Sequence, residues 1–181
     1  MAPIVCGGSG LTINAKQAAF LIQQLSVLVV DDNQFMRQLV RGLLATVGVR
    51  KILEATDGIA ALETIREAKP DVVVLDWEMP LLNGPELVRI VRSPGVFPTP
   101  DIPIIMLTGH LERWRVLEAA KLGVNEFLGK PVSAKSLHDR LISILLKPRE
   151  TVRVGDYYGP APRNGTLPLN IAAVAAVAAA G

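Results

Sequence analysis

The sequence predicts an α/β fold, a parallel sheet of five strands covered by helices on both faces. Three observations predict it. Between residues 26 and 147, short aliphatic runs alternate five times with segments of helical periodicity, the pattern of parallel βα units. The runs are unbroken rather than alternating with polar residues, as strands buried on both faces read. Of the 181 residues, 50% are hydrophobic and only 4% aromatic, so the core is built from Leu, Val, Ile and Ala.

The elements follow in order. Residues 26–30 form the first strand, and a helix over 34–47 puts Phe35, Met36, Leu39, Val40, Leu43, Leu44 and Val47 on one broad face. A weaker strand covers 51–54, and Asp57 caps a helix whose inner stripe is Ile59, Leu62 and Ile65. Residues 72–75 are the clearest strand, with Asp76 at its carboxyl end. A shorter helix spans 85–92, with Pro85 suited to its first turn. After a proline-rich loop come a strand at 104–107, a helix over 112–122, a strand at 126–129 and a helix over 133–146.

The expected organisation is a domain at 26–147 between an extension at 1–25 and a proline-containing, Ala-rich tail at 148–181. In the extension, Ala15, Ala18, Leu21, Ile22 and Leu25 have the spacing of a short amphipathic helix. In the tail, Tyr157, Tyr158, Gly159 and Pro160 followed by Arg163 read either as a docking segment or as a proline-bounded extension. Ile171, Val174 and Val177 form a narrow apolar stripe.

Composition narrows the function classes. The lone cysteine, Cys6, excludes a disulfide framework within the chain and any multi-cysteine metal site. Residues 26–147 hold 15 basic and 15 acidic side chains, so no global field favours nucleic acid or an anionic membrane. No stretch reaches the roughly 20 apolar residues of a bilayer span, and the N-terminus lacks a signal peptide's basic start. A cytoplasmic protein is the expectation.

Reactive groups of open α/β sheets lie beyond the carboxyl ends of the strands. There the sequence places Asp31 and Asp32, Asp76, Thr108 and Lys130. Three clustered carboxylates raise one another's pKa unless a cation joins them. A hard divalent ion such as Mg²⁺ suits oxygen donors of this kind. A carboxylate is also a nucleophile able to form an aspartyl-phosphate, with Lys130 to neutralise phosphoryl oxygens and Thr108 to donate a hydrogen bond to one.

Four motifs, in order and each at a strand end, carry a family resemblance: Val30-Asp31-Asp32, Leu75-Asp76-Trp77-Glu78-Met79-Pro80 with Gly84 following, Leu107-Thr108-Gly109, and Lys130-Pro131. Over about two thirds of the chain the sequence resembles the receiver domain of two-component response regulators. The resemblance implies a flavodoxin-like, doubly wound sheet of order 2-1-3-4-5, the order general to that fold. It implies that Asp76 accepts a phosphoryl group from a histidine kinase or histidine phosphotransfer protein. Asp31, Asp32, Asp76 and the backbone carbonyl of Glu78 would hold Mg²⁺ or Mn²⁺, while Thr108 and Lys130 read the phosphoryl group. Phe127 matches the family's switch aromatic, Glu78 and His110 its rate-tuning positions. The output face would comprise the helix at 112–122, the strand at 126–129 and the helix at 133–146, presented to a downstream protein.

The expectation is a stand-alone signalling switch rather than a metabolic enzyme. About 34 residues after 147 are too few for a helix-turn-helix module. The rival functions are a phosphorelay intermediate or phosphate sink without its own output, and a phosphohydrolase working through an aspartyl-phosphate. The latter calls for a second acid as Asp-x-Asp, whereas Asp76 is followed by Trp77 and Glu78. His110 lacks the second imidazole or thiolate that a metal site would need. Trp77 and Trp114 read as packing residues.

Overall fold

The computed structural model describes residues 14–109 and 113–162. Its element order is α1 (Ala15–Gln24), β1 (Ser26–Val30), α2 (Gln34–Val47), β2 (Lys51–Ala55), α3 (Gly58–Ala68), β3 (Val72–Asp76), α4 (Gly84–Val91), β4 (Ile104–Thr108), α5 (Arg113–Lys121), β5 (Glu126–Gly129), α6 (Ala134–Leu146), β6 (Thr151–Val154) and β7 (Tyr157–Pro160). Strands β1 to β5 make one parallel sheet in the order β2-β1-β3-β4-β5, the doubly wound topology the sequence implies.

Alternate side chains of each strand enter opposite faces, and two cores result. Leu28, Val30, Val73, Leu75, Ile104 and Met106 meet Ile65 of α3, Leu87, Val88 and Val91 of α4, and Ala119 of α5. Val27, Val29, Val72, Val74, Ile105, Leu107 and Leu128 meet Ile22 of α1, Val40 and Leu44 of α2, and Leu137 and Leu141 of α6. Helix α1 is thus a third helix on the α2/α6 face, with Ile22 fully buried. Side-chain caps start the helices: Asn14 for α1, Asn33 for α2, Asp57 for α3, Asn83 for α4 and Ser133 for α6. Each satisfies backbone N–H groups that the first turn leaves unpaired.

Strands β6 and β7 form an antiparallel hairpin that the sequence reading did not anticipate within the tail. Val154 pairs with Tyr157 across a two-residue turn, whose first residue, Gly155, has φ +58°, as a type II′ hairpin favours. The hairpin docks at the amino ends of β4 and β5, away from the carboxylates. Arg92, buried there, donates from Nε to the Gly123 carbonyl at 2.9 Å and from Nη2 to Asn125 Oδ1 at 2.9 Å. Asn125 Oδ1 also accepts from the Ile104 N–H at 3.0 Å, while Arg149 donates to the Asn125 carbonyl and Tyr158 to Asp101 Oδ1 at 2.6 Å. Burial pulls the Arg92 guanidinium down to about 10, which leaves it charged at neutral pH. Gly123 and Gly159 let the two backbones touch: a Cβ on Gly159 would lie 2.6 Å from Gly123 Cα. Cys6, Arg163 and the stripe at Ile171, Val174 and Val177 lie outside the described residues. No helix among the described residues is long and apolar enough to cross a membrane.

Candidate functional site

Three strands deliver the site's carboxylates to one edge of the sheet. Asp31 and Asp32 follow β1, and their turn is held from both sides. Asn33, the cap of α2, donates its N–H to Asp31 Oδ1 at 2.9 Å. Arg37, one turn into α2, donates from Nη1 to the Asp31 and Asp32 carbonyls at 2.8 and 3.2 Å. Asp76 closes β3. The chain then folds back so tightly that a Cβ on Gly84 would stand 2.4 Å from the Asp76 carbonyl oxygen, and only glycine fits.

Carboxylate oxygens of Asp31, Asp32 and Asp76 all lie within 4.8 Å of one another, with Asp31 and Asp76 buried and Asp32 exposed. Lys130, delivered by β5, bridges the two buried ones: its Nζ is 2.9 Å from Asp76 Oδ1 and 3.2 Å from Asp31 Oδ2. The Lys130 N–H donates to the Thr108 carbonyl at 2.7 Å, and the Lys130–Pro131 peptide is cis. Thr108, at the end of β4, is fully buried. An open hollow of about 450 Å³ beside the carboxylates is lined by Asp32, Trp77, Glu78, Met79, Pro80 and Asn83.

Burial pushes the Asp76 carboxyl above the ordinary aspartate range; the Asp31 charge adds to this, while the Lys130 ammonium and the Trp77 N–H offset only part of it. Burial also depresses the Lys130 ammonium, but the paired carboxylates Asp76 and Asp31 together outweigh it and hold the group above its usual value. One ammonium among three carboxylates leaves the cluster net negative. Hard oxygen donors, a charge deficit and an exposed third carboxylate together fit a divalent cation of the Mg²⁺ type.

The remaining expected residues are placed differently. Phe127 is half-buried and meets Trp77 edge to face, with ring centroids 6.2 Å apart. Glu78 turns its side chain outward, 65% exposed, and pairs with Arg115 Nη1 at 2.9 Å. His110 lies outside the described residues. Arg37 and Arg115 escaped the sequence reading. Both are surface-type cations on helices, and no motif signals that one shapes the Asp31–Asp32 turn and the other reaches Glu78.

A family model for the response regulator receiver domain matches residues 27–142, and the chain belongs to that family of two-component signalling domains. The chemotaxis protein CheY-3 of Vibrio cholerae is 35% identical over 126 residues, covering 70% of this chain and 95% of that protein. Among solved structures, the receiver domain of the Francisella response regulator 1452 aligns with a TM-score of 0.61 at 32% identity, covering 68% of this chain and 98% of that one. The receiver domain of the sensor histidine kinase PA1611 from Pseudomonas aeruginosa aligns at 0.58 and 25% identity, covering 65% and 94%. Its structure holds a magnesium ion coordinated in the active site cleft.

Proposed function

We propose that this receiver is a phospho-accepting switch in which Asp76 takes a phosphoryl group from a histidine kinase or a histidine phosphotransfer protein. The carrying observation is the buried Asp76 carboxylate, within 4.8 Å of two others and salt-bridged to Lys130 at 2.9 Å. Both of its hydrogen-bonded neighbours, the Lys130 ammonium and the Trp77 N–H, meet Oδ1. That leaves Oδ2 as the attacking oxygen. As its bond to phosphorus forms, the donor's P–N bond breaks and the departing imidazole takes up a proton. Lys130 neutralises phosphoryl oxygens from a fixed position, and Thr108 donates to one of them. Transfer of this kind needs positioning and charge neutralisation more than covalent chemistry from the protein.

Asp31, Asp32, Asp76 and the Glu78 backbone carbonyl would hold Mg²⁺ or Mn²⁺, as the PA1611 receiver holds magnesium in its cleft. Bound there, the ion supplies charge neutralisation to the phosphoryl oxygens. The output is a change in protein contacts through α5, β5 and α6, with Phe127 and Thr108 as the moving parts. A phosphoryl group adds about −1.5 to −2 charge, enough to bias a two-state element. The test is intact-protein mass after incubation with a small phosphodonor, with Mg²⁺ or with chelator. Wild type should gain one phosphoryl mass in Mg²⁺ and little in chelator, and Asp76→Asn none. Equal gain by Asp76→Asn defeats the assignment.

A further inference from the structure

Arg115 ties the output helix to the floor of the site. It sits in the first turn of α5 with its side chain only 14% exposed, and its Nη1 is 2.9 Å from Glu78 Oε1. The guanidinium carbon lies 5.3 Å from the centroid of the Trp77 ring and 5.1 Å from that of Trp114, within cation–π reach of both indoles. Trp77 in turn donates its N–H to Asp76 Oδ1 at 2.9 Å and carries its ring edge to face with Phe127. One cation therefore touches the residues one and two positions after Asp76, and through Trp77 it bears on Phe127.

The contact is held by charge and ring faces more than by directional bonds. The buried Nε of Arg115 has no hydrogen-bond partner among the described residues. An ion pair and ring contacts depend on the local charge, so the arrangement is poised to change when acceptors and charge arrive nearby. A phosphoryl group on Asp76 brings about −1.5 to −2 charge and three acceptor oxygens to within two residues of Glu78. That charge repels the Glu78 carboxylate and competes with it for the guanidinium.

We propose that Arg115 is a positioning residue that clamps α5 to Trp77 and Glu78 in the unphosphorylated receiver, and that charge arriving at Asp76 loosens the clamp. The proposal rests on Asp76 as the phosphoacceptor. It assigns to Arg115, Trp77 and Trp114 a role in passing that event to α5 and Phe127.

The test is the amide spectrum of β5 and of residues 114–121 by NMR, without ligand and then with Mg²⁺ and beryllofluoride as the phosphoryl mimic. Wild type is compared with Arg115→Met, Arg115→Lys and Glu78→Gln; Glu78 is on an exposed loop, so its variant keeps the fold. Without ligand, Arg115→Met and Glu78→Gln should move these amides part of the way toward the mimic-bound positions of wild type. Arg115→Lys should restore part of the resting position. The mimic concentration at half-saturation should fall about three- to tenfold in Arg115→Met, the range expected when a cation–π contact and an ion pair are lost together. Wild type that ignores the mimic overturns the phosphoacceptor reading and the clamp's signalling role with it. Wild type that responds, beside Arg115→Met and Glu78→Gln whose ligand-free amides stay at the resting positions, overturns the clamp alone.

Discussion

Substituting Ala at three glycines separates the two costs of docking the β6–β7 hairpin. Gly155 has φ +58° and nothing within 4 Å of a built Cβ, so Gly155→Ala bears only the left-handed backbone, about 1–2 kcal/mol. Gly159 lacks a positive φ, but its Cβ would stand 2.6 Å from Gly123 Cα. Backbone must move, at about 1–3 kcal/mol for overpacking of this kind. Gly123 combines φ +85° with a Cβ 2.6 Å from the Tyr158 carbonyl oxygen, and Gly123→Ala should lose about 2–5 kcal/mol. Losing unfolded-state freedom affects all three alike, so the differences isolate the folded-state terms. Urea unfolding gives the ranking, and trypsin cleavage after Arg153 reports whether the hairpin detaches. The expected order of loss is Gly123, then Gly159, then Gly155, with cleavage accelerated in the first two. Gly123→Ala that matches Gly155→Ala in both measurements would refute tight docking at the amino ends of β4 and β5.

Other consequences follow from the charges. Asp57 Oδ1 accepts from the Ile59 and Ala60 N–H groups at 2.9 Å each, and the Ala60 bond above all holds its carboxyl below the ordinary range. Asp57→Ala should cost about 1 kcal/mol at neutral pH. A depressed carboxyl stabilises above its unfolded pKa, so the difference in denaturation midpoint should shrink as pH falls through the folded value. Asp76 has the opposite sign: burial raises its carboxyl, so the folded state binds more protons and this group's destabilisation grows as pH rises through the raised value. Asp76→Asn should therefore be more stable than wild type at neutral pH without Mg²⁺, with the gain shrinking toward pH 3.8; a constant gain across that range contradicts the account. Lys130→Arg should stay folded but lose the response of Thr108 and Phe127 to beryllofluoride, because the guanidinium is broader than the compact ammonium. NMR shifts across β5 equal to those of wild type would defeat that coupling role.

The sheet was legible because its strands are aliphatic runs and its helices carry the apolar periodicity between them. Asp57 and Pro85 sit where the spacing put them, and the observed helix bounds differ by a residue or two from those read off the pattern. The meeting of Asp31, Asp32, Asp76 and Lys130 was legible through topology: in a parallel sheet, strand ends 99 residues apart, such as Asp31 and Lys130, share one edge. The hairpin was missed because its signal is only Val152, Val154 and a Gly-Asp turn, while Pro160 and the prolines around it suggested irregular chain. Arg92 is buried and Asn125 half-buried next to that hairpin, and nothing local marks them as interior. Arg115 escaped for a different reason: its partners Trp77 and Glu78 are brought to it only by the turn after β3. Trp77 packs in the core as its bulk suggests, whereas Trp114 is 54% exposed and meets the Arg115 cation at the surface.

The most direct measurement of the central claim is the position of the modified residue. The protein, incubated with a small phosphodonor and Mg²⁺, is treated with borohydride, which reduces an acyl phosphate to the alcohol and so converts a phosphorylated aspartate to homoserine. Tandem mass spectrometry then reads the position. Homoserine at residue 76, absent from the unphosphorylated control, is the predicted result. Homoserine at Asp31 or Asp32, or a phosphoryl group that resists reduction on a serine or threonine, would contradict it.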